Sequence, residues 1–252
     1  LQTCFDRNQI GKEGPGGLGY GGDEMIGHFV AGNDFDYPAC HTEAIAAAGN
    51  YQVESCSEQA VTSGKVNIGN YPIVDLILGL EKFDGYTPEF YKTFPYSLRP
   101  ILHSYLQHGG SLLVSGSYVG SDMTGDDEKT WLQDNLKLTY QPDSAADIQE
   151  TVTGLGMNFA FWHLLNPKHY AATHPDIISP AGGAICAMQY SDGNSAAVAY
   201  HGNDYRCFTM GFPFECIKNA KDRNQIMQGI LNYLKPVIKA SVTENMPAKQ
   251  SK

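Results

Sequence analysis

Three residues of this sequence are of the types that build a nucleophilic triad, and each falls where a strand gives way to a helix. Ser117 lies in "GGSLLVSGSYVGSDM" (residues 109–123), and Asp34 and His41 lie in "GNDFDYPACH" (residues 32–41). A serine hydroxyl becomes a nucleophile when an imidazole takes its proton and a carboxylate orients that imidazole. Ser117 as nucleophile, His41 as base and Asp34 as the orienting acid are therefore one candidate catalytic set. Asp34, Asp36 and His41 form a weaker alternative, a metal site. Around them, Asn33, Asp36, Glu81, Lys82, Ser115 and Asp122 supply amides, hydroxyls and charges that would hold a polar substrate. Trp162 sits in an aromatic run, "NFAFWHLLNPKHYAATHPD" (residues 158–176), that would offer a stacking face for a sugar ring.

Each of these residues also has a plainer reading. Small residues follow a buried strand wherever backbones pack closely, and "SGSYVG" does not match the G-x-S-x-G elbow of serine hydrolases. Asn and Asp after a strand are ordinary turn formers, because their side chains bond nearby backbone groups. Charges in loops are commonly just solvated, and the aromatic run reads equally well as the core of an insertion.

The elements that must position these residues alternate. "MIGHFVAGN" has the pattern of a strand, and "ACHTEAIAAAG" that of a helix closed by Gly49. "YQVESC" reads as a second strand, and "SEQAVTSG" as a short helix capped by Ser57. "YPIVDLILGL" is apolar enough to be a strand buried on both faces. A helical pattern over residues 88–108, interrupted by Pro95 and Pro100, leads into "SLLVSGS", the fourth strand. Residues 124–180 lose this periodicity, apart from a short helix at "EKTWLQDNL", and read as an irregular insertion. "SAAVAYH" and "YRCFTMGFPFE" form a hairpin around "GND". In the closing helix "AKDRNQIMQGILNYLKPVI", Ile226, Ile230, Leu231 and Leu234 make one apolar stripe. Alternating strands and helices imply an α/β fold: a flavodoxin-like, doubly wound, mostly parallel sheet with a late antiparallel hairpin and an irregular insertion. Residues 1–24 are a Gly-rich lead-in, 25–236 a single domain and 237–252 a polar tail.

Composition narrows the function classes. Seventeen Lys and Arg against 27 Asp and Glu give a formal charge of −10, which argues against a nucleic-acid partner. No run approaches the roughly 18 apolar residues of a membrane helix, since Asp75 breaks the longest one. The chain starts at Leu1 without a basic or apolar leader, so a trimmed, exported product is expected. Six cysteines show no C-x-x-C spacing; Cys40 and Cys56 read either as a bridged pair or as two buried thiols. Nothing nominates a cofactor, and beyond the weak Asp34, Asp36 and His41 alternative nothing nominates a resident metal.

Taken together, "GNDFDYPACHTEAI", "YPIVDLILGLEK", "GGSLLVSGSYVGSDM" and "YRCFTMGFPFE" resemble a group of secreted Bacteroidetes proteins labelled xanthan lyase-like or golvesin-related. The resemblance spans roughly residues 25–236. It implies a secreted, surface or periplasmic protein that binds or cleaves a carbohydrate-containing polymer, a glycan or cell-wall partner, and neighbouring domains in a larger chain. The strand order and terminal helix also resemble the class I glutamine amidotransferase-like fold. That fold carries a cysteine at the elbow held here by Ser115, Gly116 and Ser117, and its late His-Glu pair is matched only by Glu215. The alternative is therefore a structural or interaction module without the amidotransferase nucleophile. A polysaccharide lyase would need a base beside a neutraliser for a uronate carboxylate, and the sequence nominates no such set.

Overall fold

The computed structural model describes residues 37–83, 92–142, 150–164, 166 and 169–235. The Ala-rich segment folds as α1 (Tyr37–Ala48), which buries Tyr37, His41, Ala44 and Ile45, one face at helical spacing. Residues 51–56 form no strand, so "YQVESC" is a correction: Gln52 to Ser55 are all exposed, and the segment lies over the sheet as coil. Helix α2 (Glu58–Thr62) begins at Ser57, whose hydroxyl accepts the Ala60 N–H at 3.3 Å. Strand β1 (Ile73–Gly79) follows, and α3 (Arg99–Gln107) carries Pro100 in its first turn, where no intrahelical N–H is needed. After Gly109, at φ +89°, comes β2 (Ser111–Gly116), buried along its whole length.

The described residues of the stretch expected to be irregular carry regular elements. It contains α4 (Asp126–Trp131), running into a π-turn at Leu132–Leu136, then β3 (Leu138–Tyr140), β4 (Thr151–Gly154), β5 (Met157–Ala160) and β6 (Ile178–Pro180). Next come β7 (Ile185–Tyr190), β8 (Ser195–His201), β9 (Arg206–Met210) and the terminal helix α5 (Ala220–Leu234).

The main sheet has seven strands in the order β1-β2-β9-β8-β7-β4-β5, with β3 and β6 paired separately. Only the β1–β2 and β2–β9 pairings are parallel; β9–β8, β8–β7, β7–β4 and β4–β5 are antiparallel. The expected flavodoxin-like, mostly parallel, doubly wound sheet is thus corrected to a mixed sheet. The cause is connection length. Parallel neighbours need a long crossover, whereas a tight turn joins only antiparallel ones. Leu155 and Gly156, at φ 51° and 78°, close β4 on β5, and Gly193, at φ 86°, closes β7 on β8. The Gly202 N–H to the Tyr205 carbonyl, 3.0 Å, closes β8 on β9 as the "GND" motif implied.

Two apolar cores flank the sheet. On one face α1 and α5 pack on Ile77, Leu113, Phe208 and Met210; on the other, α3 packs on Leu76, Leu78, Leu112 and Val114. The α5 stripe of Ile226, Ile230, Leu231 and Leu234 is buried as expected.

Candidate functional site

Asp75 is the only charged side chain within the apolar strand β1, and its register opposite Leu113 turns it toward the α1–α5 face. A carboxylate taken out of water there needs a partner. Helix α1 supplies it: His41 Nδ1 lies 2.7 Å from Asp75 Oδ2. On its other side, His41 Nε2 lies 3.2 Å from Oε2 of Glu215, in the 3-10 turn Phe214–Cys216 after β9. The remaining oxygen of Glu215 accepts the Tyr170 hydroxyl at 2.5 Å. Phe214 packs its ring 4.7 Å from the imidazole.

With a carboxylate at each ring nitrogen, both nitrogens donate and the ring is an imidazolium. Burial alone would hold its pKa down. The charge and hydrogen bond of Asp75, joined by those of Glu215, outweigh burial and push it up to about 9. A histidine so held has no lone pair with which to take a proton from serine.

Ser117 is fully buried, and its hydroxyl has no hydrogen-bond partner among the described residues. Its backbone N–H donates to the Gly79 carbonyl at 2.9 Å. The Ser117–His41 hydrogen bond that a triad requires is therefore missing, while Asn33, Asp34 and Asp36 lie outside the described residues. Ser115, also fully buried and unpartnered, sits in register with Ile77 and Met210. The neighbouring strands approach closely here, since a Cβ on Gly116 would meet Leu78 Cβ at 2.7 Å and the Gly79 carbonyl oxygen at 3.2 Å.

At the carboxyl edge of β1 and β2, Asp122 staples one loop to another. Asp122 accepts the N–H groups of Phe83 and Thr93 at 3.1 and 2.9 Å and the Thr93 hydroxyl at 2.8 Å. Lys82 rests its ammonium 4.7 Å from the Tyr118 ring, and the buried Glu81 receives the Thr93 hydroxyl on its carbonyl. Trp162 stands apart, half-buried, under the Lys218 ammonium at 4.6 Å. Of its aromatic run, Phe159, Phe161 and Tyr170 are core residues.

Three of the described thiols are held in the protonated, unreactive form. Burial pushes Cys40 and Cys207 up to about 12 and Cys216 well above its ordinary value. Cys40 and Cys56 are unbridged. Among the described residues no group of three or more His, Cys, Asp or Glu side chains is arranged to hold a metal ion, and no helix is long and apolar enough to cross a membrane.

Asp75, Glu215 and Tyr170 were absent from the sequence-based set. One signal pointed to Asp75: a lone carboxylate inside "IVDLILGL". No comparable signal paired it with Glu215, 140 residues away.

An open groove of about 800 Å3 lies at the opposite, amino edge of β1 and β2. Asn70, Ser104 and His108 are exposed along it, beside Tyr71 and Tyr105.

No protein-family model matches the chain, and no curated protein matches it. Among solved structures it is similar to a polyextremophilic β-galactosidase from the Antarctic haloarchaeon Halorubrum lacusprofundi. That match has 18% identity and a TM-score of 0.50 over 80% of this chain and 27% of that one. An exo-β-1,4-mannosidase from Opitutaceae bacterium strain TAV5 matches at 12% identity and a TM-score of 0.47, over 82% of this chain and 33% of that one. The mmIFT52 N-terminal domain matches at 13% and 0.47, over 73% of this chain and 85% of that one. The chain thus spans about a quarter to a third of the length of the two glycosidases, and the likeness to the first is one of fold.

Proposed function

We propose that this chain is a carbohydrate-binding module of a larger, exported glycan-handling protein, and that it does not cleave its ligand through Ser117. The observation that carries the second half is the occupation of both His41 nitrogens by carboxylates, which leaves the buried Ser117 hydroxyl without a base. The first half is supported by the β-galactosidase of like fold, where the matching part is a minor share of the chain, and by the sequence motifs that resemble secreted xanthan lyase-like proteins. The amino-edge groove suits a glycan: it is open, and its amide, hydroxyl and imidazole groups can exchange hydrogen bonds with sugar hydroxyls beside the half-buried Tyr71 ring.

The test is calorimetric titration with neutral galacto-, gluco- and manno-oligosaccharides and with peptidoglycan fragments, the products being analysed after long incubation. Binding without turnover is expected. Asn70→Ala and His108→Ala should each weaken it by about 1 kcal/mol, the typical net worth of one hydrogen bond. Turnover lost in Ser117→Ala would reverse the reading.

A further inference from the structure

A second cavity, of about 190 Å3, lies between α1, residues 51–56, β1 and α5. Ile45, Ile77, Leu113, Met227 and Leu231 form much of its inner wall, and it shares Ile68 and Tyr71 with the amino-edge groove. Close-packed interiors leave few spaces larger than one water molecule, so a space of this size against core side chains is a ligand-sized feature of the fold. A dry apolar cavity of about 150 Å3 holds a benzene-sized molecule, and this one takes a single ring or a short branched chain.

Its outer wall is coil. Gln52 to Ser55 are exposed, Val53 by 40%. The segment is tied down by the Tyr51 N–H, which donates to the Gly49 carbonyl at 3.1 Å, and by the Tyr71 hydroxyl, which donates to Glu54. A surface coil so lightly tied opens locally at small cost, which gives a ligand its way in.

The charged groups beside the cavity are engaged with the protein itself. His41 lies between Asp75 and Glu215, at 2.7 and 3.2 Å, and Glu54 receives Tyr71. Arg223, whose charge reaches the neighbouring Cys40 thiol, donates to the Ile217 carbonyl at 2.6 Å. A charged ligand would give up its hydration against an aliphatic inner wall, whereas a neutral hydrocarbon loses no hydrogen bond and gains burial.

We propose that this cavity binds a small neutral apolar molecule, a single aromatic ring or a short branched hydrocarbon, seated against α5 and admitted past residues 52–55. Its ligand does not depend on a glycan being bound.

Toluene, benzylamine and benzoate, close in size and differing in charge at pH 7, are the probes. Each is titrated into the full chain and followed by the methyl NMR shifts of Ile45, Ile77, Leu113 and Leu231. Toluene is expected to bind at least tenfold more tightly than either charged probe. Leu231→Phe, which fills the apolar end and leaves His41, Asp75 and Glu54 in place, should weaken toluene at least tenfold. If Leu231→Phe does not fold, the ranking of the three probes on the unaltered chain decides. No shift with toluene, a charged probe that binds as tightly as toluene, or toluene binding indifferent to Leu231→Phe would each overturn the proposal.

Discussion

At the scale of single residues, the chemistry turns on His41, which the fold uses as a cation. Its folded-state pKa, about 9, lies above the ordinary 6.5, so the stabilisation it brings is complete below about pH 6.5 and is lost as pH rises through about 9. The full difference is on the order of 3 kcal/mol. Thermal melts between pH 6 and 10 should fall over that window, and a His41→Gln variant should flatten the part below pH 9. Imidazole NMR should place the midpoint near 9; a midpoint at or below 6.5 would remove the imidazolium from the account. His41→Ala leaves Asp75 and Glu215 buried without their shared cation, and should cost about 3–5 kcal/mol in denaturant unfolding. Ser117→Ala is the opposite case. It deletes a buried hydroxyl without a hydrogen-bond partner among the described residues, so stability should hold or rise by about 1 kcal/mol.

At the scale of elements, the sheet is held by close approaches that only glycine permits. A Cβ on Gly211, just past β9, would lie 2.2 Å from the Asp176 carbonyl oxygen, a backbone atom held in place because the Asp176 N–H donates to the Gly211 carbonyl at 2.7 Å. Gly211→Ala should therefore cost about 3 kcal/mol, near the upper end of overpacking, with a matching drop in the melting temperature. The elements nearest the site were also the most legible in the sequence. The patterns around β1, β2, α1 and α5 are long, apolar and bounded by caps or glycines, and they form where their residues said. Strands β4, β5 and β7 were not legible, because "TVTG", "MNFA" and "ICAMQY" are short runs whose exposed positions break the apolar pattern. Conversely, "YQVESC" has the alternation of a strand but only one strongly apolar aliphatic, Val53, which is itself 40% exposed.

At the scale of the whole molecule, the alternation in the first half of the chain was extended over the second, where tight turns made the sheet mixed. The candidate site shows the same limit. Sequence proximity joined His41 to Asp34 and a strand-end position joined it to Ser117, whereas the fold joins it to Asp75 and Glu215, on β1 and beyond β9. Types of residue were readable, but partners set by long-range packing were not. The proposed function joins a charge-locked core beneath a small cavity with an open groove on another edge, and its central claim is binding without cleavage. The most direct test is one titration of the unaltered chain with neutral oligosaccharides, with product analysis of the same samples and of Ser117→Ala. The account expects a saturable binding signal, no product, and identical behaviour in the variant. Product formed by the unaltered chain and absent from Ser117→Ala, or no binding to any oligosaccharide, would contradict it.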